Sequence, residues 1–268
     1  MSSEGGYNHF MNLASSVADL VRSTRAQLLP YYGNAGETVD KGGGAIDMVT
    51  KLDTETEEYL ASNLAKLDSS IGFAGEERGG SRDQERFWLC DPIDGTGHYI
   101  RGMPFCTVML ALIEEQQVTQ SYIYDFVNDH LYTARKGEGA FRNGEPIRVS
   151  QRPLSNSYLG WETHIDKPEN LERFLKLRDR SFLFKTLSAG YEFTQIASGR
   201  LEGRVHFEPH GRDWDFAPGS LLVSEAGGIV ANLGKRSYDY RKTDFIAANP
   251  LVFRELTEGP TAPFPIHD

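Results

Sequence analysis

The chain has 268 residues, 39% hydrophobic and 25% charged, enough apolar content for a sizeable core and too much for a disordered chain. Against 28 Lys and Arg stand 38 Asp and Glu, a net charge of −10 with no basic block, which excludes a reader of nucleic-acid polymers. Such a reader needs a basic face to meet phosphates, whereas a small phosphorylated ligand can be held by backbone amides and metal ions.

The longest nearly apolar run, Phe105 to Ile113, is far short of the ~18 to 20 residues of a membrane span. Met1 to Gly6 carries neither the basic nor the apolar segment of a secretory leader. Cys90 and Cys106 both sit in apolar runs, the pattern of packed thiols and not of a disulfide framework. A cytoplasmic protein with no membrane partner is expected.

From Phe10 to Leu29, Leu13, Val17, Leu20, Val21 and Leu28 recur at helical spacing. Gly33 to Gly44 reads as a glycine-rich loop, and Asp53 as the cap of a second helix running to Leu67, with Thr54 and Glu57 as a capping box. Short strands are expected at Ser70 to Ala74 and Phe87 to Cys90, then Cys106 to Ile113 and Val118 to Asp125 about the turn Glu114 to Gln117. Leu131 to Arg135 and Gly139 to Arg142 continue the meander, and Asn143-Gly144 is a two-residue hairpin signal. Beyond Ser150, helices are expected at Leu171 to Arg178, Tyr191 to Ser198 and Phe216 to Glu225. Strands are expected at Tyr158 to Trp161, Arg204 to Phe207, Ile229 to Ala231 and Phe245 to Ala248. No repeat and no linker divides the chain. One compact unit over 1–268 is expected, an α+β half over about 1–150 and an alternating half over 151–268, in a layered α/β architecture.

Acids gather at the ends of apolar strands: Gly75-Glu76-Glu77, Asp91-Pro92-Ile93-Asp94-Gly95-Thr96, and Asp213-Trp214-Asp215 before a helix. A buried charge needs a partner, and too few Lys or Arg lie nearby in sequence to provide one. Hard divalent cations such as Mg²⁺ supply positive charge and prefer oxygen ligands. Gly95 and Thr96 are placed to begin a helix whose free amides bind phosphate oxygen. Metal acids beside a helix N-terminus describe a site for phosphoryl transfer.

Ile46-Asp47-Met48-Val49-Thr50-Lys51-Leu52-Asp53, the two acidic segments at Glu76 and Asp91, and Trp214-Asp215-Phe216-Ala217-Pro218-Gly219 together resemble the signature segments of the inositol monophosphatase family. Tyr132 to Gly137 and Ser224 to Gly228 match in order and spacing too, so the resemblance covers nearly the whole chain. It implies an αβαβα sandwich, Mg²⁺-dependent hydrolysis of a phosphomonoester, lithium inhibition and a homodimer. By motif, Glu76, Asp91 and the Ile93 carbonyl resemble the ligands of one metal, and Asp91, Asp94 and Asp215 those of a second, with Glu76 near a weaker third. The resemblance thus implies two or three Mg²⁺ ions. It also makes Glu77 and Thr96 the pair that orients water, Asp47 the acid holding Thr96, and the Gly95 and Thr96 amides the phosphate cradle. On the substrate side it points to Asp94, Ser188, Ala189, Glu208 and Asp215. Asp53 is expected as a structural cap, and Lys41 as a loop residue near the site.

Gly97 and His98 stand where the family usually has Thr and Asn. His98 is expected to pack, not to ligate, and Arg101 to lie at the surface. The expected substrate is a small phosphorylated polyol or sugar, inositol monophosphate first. Histidinol phosphate and fructose 1,6-bisphosphate are alternatives on the same site. A non-catalytic binding protein on this fold is the alternative from another class.

Overall fold

The computed structural model describes residues 3–34, 36, 38–40, 48–208 and 211–267. Asp47 and Lys41 lie outside them. The chain opens with α1 (Ser3–Ser23), a short α2 (Arg25–Leu28) and a 3₁₀ turn at Leu29–Tyr31. The break from a single helix falls at Thr24, whose hydroxyl donates to the Val21 carbonyl at 2.7 Å, and Pro30 prevents continuation. Within the expected loop a strand appears: β1 (Thr38–Asp40) pairs antiparallel with β2 (Met48–Thr50).

Helix α3 (Lys51–Leu67) begins earlier than expected. Thr50 is its N-cap, donor and acceptor to the first turn, and Asp53 is the third residue, accepting from the Thr50 amide at 2.7 Å. The capping box is therefore Thr50 with Asp53, not Thr54 with Glu57.

A seven-stranded sheet follows in chain order: β3 (Gly72–Gly75), β4 (Arg86–Asp94), β5 (Thr107–Glu114), β6 (Gln117–Asp125), β7 (His130–Arg135), β8 (Gly139–Arg142) and β9 (Glu145–Pro146). β3 and β4 are parallel, and every later neighbour is antiparallel. Glu115 and Gln116, at φ of 49° and 61°, and Asn143-Gly144, at 51° and 84°, make the left-handed two-residue turns that match strand twist. β5 is apolar almost throughout because both its faces are covered. Val108, Leu110 and Leu112 pack toward Leu60, Leu64, Val17 and Val21, while Met109 faces Phe193 and Leu222.

The second sheet has five strands in the order β11-β10-β12-β14-β13: β10 (Tyr158–Glu162), β11 (Phe182–Lys185), β12 (Gly203–His206), β13 (Ile229–Asn232) and β14 (Phe245–Ala248). Between the sheets lie α6 (Ala189–Ala197) and α7 (Asp213–Glu225), packed so closely that a Cβ on Gly219 would stand 1.9 Å from the Phe193 ring. On the outer face of the second sheet, α5 (Pro168–Arg178) and α8 (Pro250–Thr257) cover Trp161, Val205 and Ile246. The layers thus run α1 and α3, sheet, α6 and α7, sheet, α5 and α8: an αβαβα sandwich. Strand β11 and helix α8 had no counterpart in the sequence expectations. Among the described residues no helix is long and apolar enough to cross a membrane.

Candidate active site

Strand β4 ends in the acids, and a register shift in its pairing with β5 falls between Asp91 and Asp94. That irregularity lets two residues three apart face one place, where regular pleating sends them to opposite faces. Asp91, Asp94 and Asp215 each offer a carboxylate oxygen, and these oxygens lie within 4.8 Å of one another.

Each acid is aimed by the backbone. Asp91 Oδ1 accepts from the Ile93 amide at 3.1 Å. Asp94 accepts from the Ala189 amide at 3.1 Å and the Gly190 amide at 2.8 Å, with the Thr107 hydroxyl at 3.2 Å. A Cβ on Gly190 would lie 2.1 Å from the Thr107 hydroxyl, so only glycine brings its amide this close to Asp94. Asp94 therefore closes the N-terminus of α6, whose own N-cap, Ser188, makes no capping bond. Asp215 does the same for α7, accepting from the Arg212 amide at 2.6 Å.

Burial, then the charges of Glu76, Asp215 and Asp94, holds the Asp91 carboxyl well above the usual carboxylate range. Asp215 is raised by burial and then by Asp94, and Asp94 by burial against the pull of the Gly190, Ser188 and Ala189 groups around it. Such mutual elevation of clustered acids is relieved by a cation. An all-oxygen donor set, largely buried and facing other acids, fits a hard divalent ion. Glu76 is not one of the three clustered acids, although its charge bears on Asp91.

Gly95, at φ 81°, is the N-cap of the one-and-a-half-turn helix α4 (Thr96–Ile100). The Thr96 hydroxyl lies 2.8 Å from Asp53 Oδ1 and 2.9 Å from the Ile93 carbonyl. The acid at Thr96 is thus Asp53, where Asp47 had been expected. One Asp53 oxygen caps α3 and the other meets Thr96, and burial raises its carboxyl to about 6. Asp53→Asn is expected to cost about 1 kcal/mol of stability through the cap and to lower kcat by roughly 10- to 100-fold through Thr96. Melting curves and steady-state rates check both, and a wild-type kcat would remove Asp53 from the site.

The turn after β3 is fastened from α3 by Glu57, which the sequence reading pairs with Thr54 in a capping box. Glu57, fully buried, accepts the Glu77 amide at 2.9 Å and the Arg78 amide at 2.7 Å. Gly75 makes room, since a Cβ there would lie 2.4 Å from Glu57 Oε2. The signal was present as a carboxylate at a core position of the helical period.

Beside the acids opens a cavity of about 450 Å³, lined by Asp94, Gly95, Ser188, Ala189, Asp215 and others. Glu208 is not among its lining residues. Its carboxylate accepts from Lys167 at 2.7 Å, Asn170 at 2.7 Å and Thr163 at 3.1 Å, so the structure does not bring it to the site. His98 packs edge-on against Phe105, which meets Tyr191 in turn. Arg101 turns back to the Gly97 carbonyl of its own helix at 2.6 Å and lines the cavity mouth.

The model of the inositol monophosphatase family matches residues 8–262. The chain belongs to the inositol monophosphatase family. It is 30% identical to an inositol monophosphatase of Dictyostelium discoideum over 258 residues, covering 91% of this chain and 93% of that one. To an inositol-1-monophosphatase of Mesorhizobium japonicum it is 31% identical, covering 83% and 85%. Among solved structures, an IMPase of Thermotoga maritima superposes with a TM-score of 0.81 at 26% identity, over 91% of this chain and 94% of that one. Membership makes this protein a phosphatase, a hydrolase of phosphoric monoesters, with the layered fold of its family.

Proposed function

We propose that this family member hydrolyses the phosphate ester of a small polyol or sugar, inositol monophosphate first among them, with two or three Mg²⁺ ions. The reading is carried by the three carboxylates, two buried and one half-buried, that converge within 4.8 Å beside the start of α4. Asp91, Asp94 and Asp215, with Glu76 and the Ile93 carbonyl, would hold the ions. Bound there, Mg²⁺ lowers the pKa of water and stabilises the charge of the leaving alkoxide.

The chain's own groups do the rest. Thr96, donating its proton to Asp53, keeps lone pairs with which to accept from the attacking water. Glu77 takes that water's proton as general base. The Gly95 and Thr96 amides, free of intrahelical acceptors, bind phosphate oxygen. Ser188 and Ala189 form the wall against which the organic part rests.

Phosphate release with and without Mg²⁺, over inositol 1-phosphate, fructose 1,6-bisphosphate and histidinol phosphate, tests the reading. Mg²⁺-dependent release, fastest from inositol 1-phosphate, is expected. Preference for either other ester would replace the substrate, and release independent of Mg²⁺ would replace the chemistry. Glu77→Gln is expected to bind Mg²⁺ as the native protein does while kcat falls roughly 10²- to 10⁴-fold. Loss of calorimetric Mg²⁺ binding would move Glu77 into the ligand set.

The same reading places the protein in the cytoplasm as a homodimer of one-unit chains. The buried cluster that joins Met109 and Tyr132 to Phe216 and Phe245 supports one unit, with a single unfolding transition as its test. A sedimentation mass of one chain would remove the dimer.

A further inference from the structure

With Glu208 held elsewhere, the cavity needs another acceptor if it is to read a polyol. The lining of the same cavity supplies a candidate in Glu162, at the end of β10. Glu162 lines the cavity with Arg204, Lys185 and Thr186. Its Oε2 accepts from Arg204 Nη2 at 2.5 Å and lies 3.3 Å from His206 Nε2. Oε1 has no hydrogen-bond partner among the described residues, nor is it one of the buried unpartnered atoms, so solvent in the cavity reaches it.

The Arg204 side chain is 2% exposed and that of Glu162 16%, so Arg204 is the fixed member and Glu162 the presented one. Arg204 cannot swing. Its guanidinium lies 5.6, 5.5 and 5.9 Å from the ring centres of Phe193, Phe216 and Phe245, and Nη1 reaches Glu192 at 3.3 Å. Glu192 is itself tied to the Thr186 hydroxyl and the Leu187 amide, at 2.7 and 2.6 Å. A carboxylate oxygen clamped through its twin is a preorganised acceptor, and ordering it costs the ligand little.

The charges of this wall say what it accepts. On this wall the Arg204 guanidinium is already shared between Glu162 and the buried Glu192, with Lys185 beside them. A second phosphate or carboxylate set against this wall meets the Glu162 carboxylate. A hydroxyl donates to Oε1 and can accept from the Lys185 ammonium beside it.

The geometry points to Glu162 as the residue that reads a hydroxyl of the substrate's organic part, held for that purpose by Arg204, with Glu208 taking no part. This rests on the phosphatase reading above. Its test compares inositol 1-phosphate with propyl phosphate, which has no hydroxyl to offer, by the ratio of their kcat/KM values. Glu162→Gln is expected to lower that ratio roughly tenfold, mostly through KM of the inositol ester. Glu208→Gln is expected to move it less.

A series of singly deoxygenated inositol phosphates on the native enzyme needs no variant to fold. Removal of one particular hydroxyl is expected to cost it about tenfold, and to cost Glu162→Gln nothing further. An unchanged ratio in Glu162→Gln, a larger change in Glu208→Gln, or no sensitive hydroxyl in the series overturns the assignment. Propyl phosphate hydrolysis in those cases leaves the phosphatase reading standing, whereas no release from either ester removes both.

Discussion

Asp94→Asn is expected to lower kcat/KM by roughly 10³ while the protein keeps its native circular dichroism. The substitution removes one carboxylate from the cluster and with it the charge that holds a cation in place. A secondary loss follows from the fold. Both Asp94 oxygens accept backbone amides, from Ala189 and Gly190, and an Asn amide group would set a donor against one of them. That conflict costs about 1 to 3 kcal/mol, a fall in melting temperature of several degrees for a chain of this size. Phosphate release and calorimetry read the two effects separately. Turnover above a tenth of native would take Asp94 out of the reaction, and an unfolded variant would mean that its main duty is to α6.

The second large effect has the opposite sign in stability. Asp91→Asn is expected to raise the melting temperature of the metal-free protein and to abolish the rise that Mg²⁺ gives the native one. Asp91 is buried, feels the charges of Glu76, Asp215 and Asp94, and among the described residues accepts one hydrogen bond, from the Ile93 amide. Without a cation its charge is uncompensated, and breaking such an arrangement open is costly in the ionised form. Asn keeps the acceptor for Ile93, removes the charge and offers a donor to the neighbouring acids. A gain of about 1 to 3 kcal/mol is expected in chelator. In Mg²⁺ at 100 times its dissociation constant, the native protein gains about 2.7 kcal/mol, and the variant almost none. A metal-free variant less stable than native, or one that still responds to Mg²⁺, would show that Asp91 is not at the centre of the charge cluster.

Much of this site was legible in the sequence because its acids are local: Asp91, Asp94, Gly95 and Thr96 sit in six residues, and strand ends advertise them. The hairpins were legible for the same reason, since turn chemistry is read within two residues. What was missed acts across the fold. Asp53 meets Thr96 from 43 residues away, and Glu57 meets the Glu77 amide from 20. Motif matching set Asp47 against Thr96, yet the acid at the hydroxyl follows the cap of α3. Glu208 stood in the right order in the chain, but its partners Lys167 and Asn170 come from α5 and its approach, and they hold it outside. The pairing of Glu162 with Arg204 leaves no trace in spacing at all, because parallel strands bring together residues 42 apart. β11 was obscured by its edge position, where Phe182 is exposed and the alternation of one-sided burial is lost.

Asp94 and Asp215 each hold the opening turn of a helix, and those two helices lie side by side between the sheets. The bonds that aim the clustered acids are therefore the same bonds that fasten the two middle helices. Ser188 and Ala189 ride on the start of α6, so their distance from the acids is set by the same bonds that aim Asp94. A change of substrate can come from side chains projecting into the cavity, as at Glu162, without disturbing the reacting centre. A change that repositions the wall itself cannot. Side chains at the strand ends of the second sheet can thus be exchanged while the bonds around the β4 acids stay as they are.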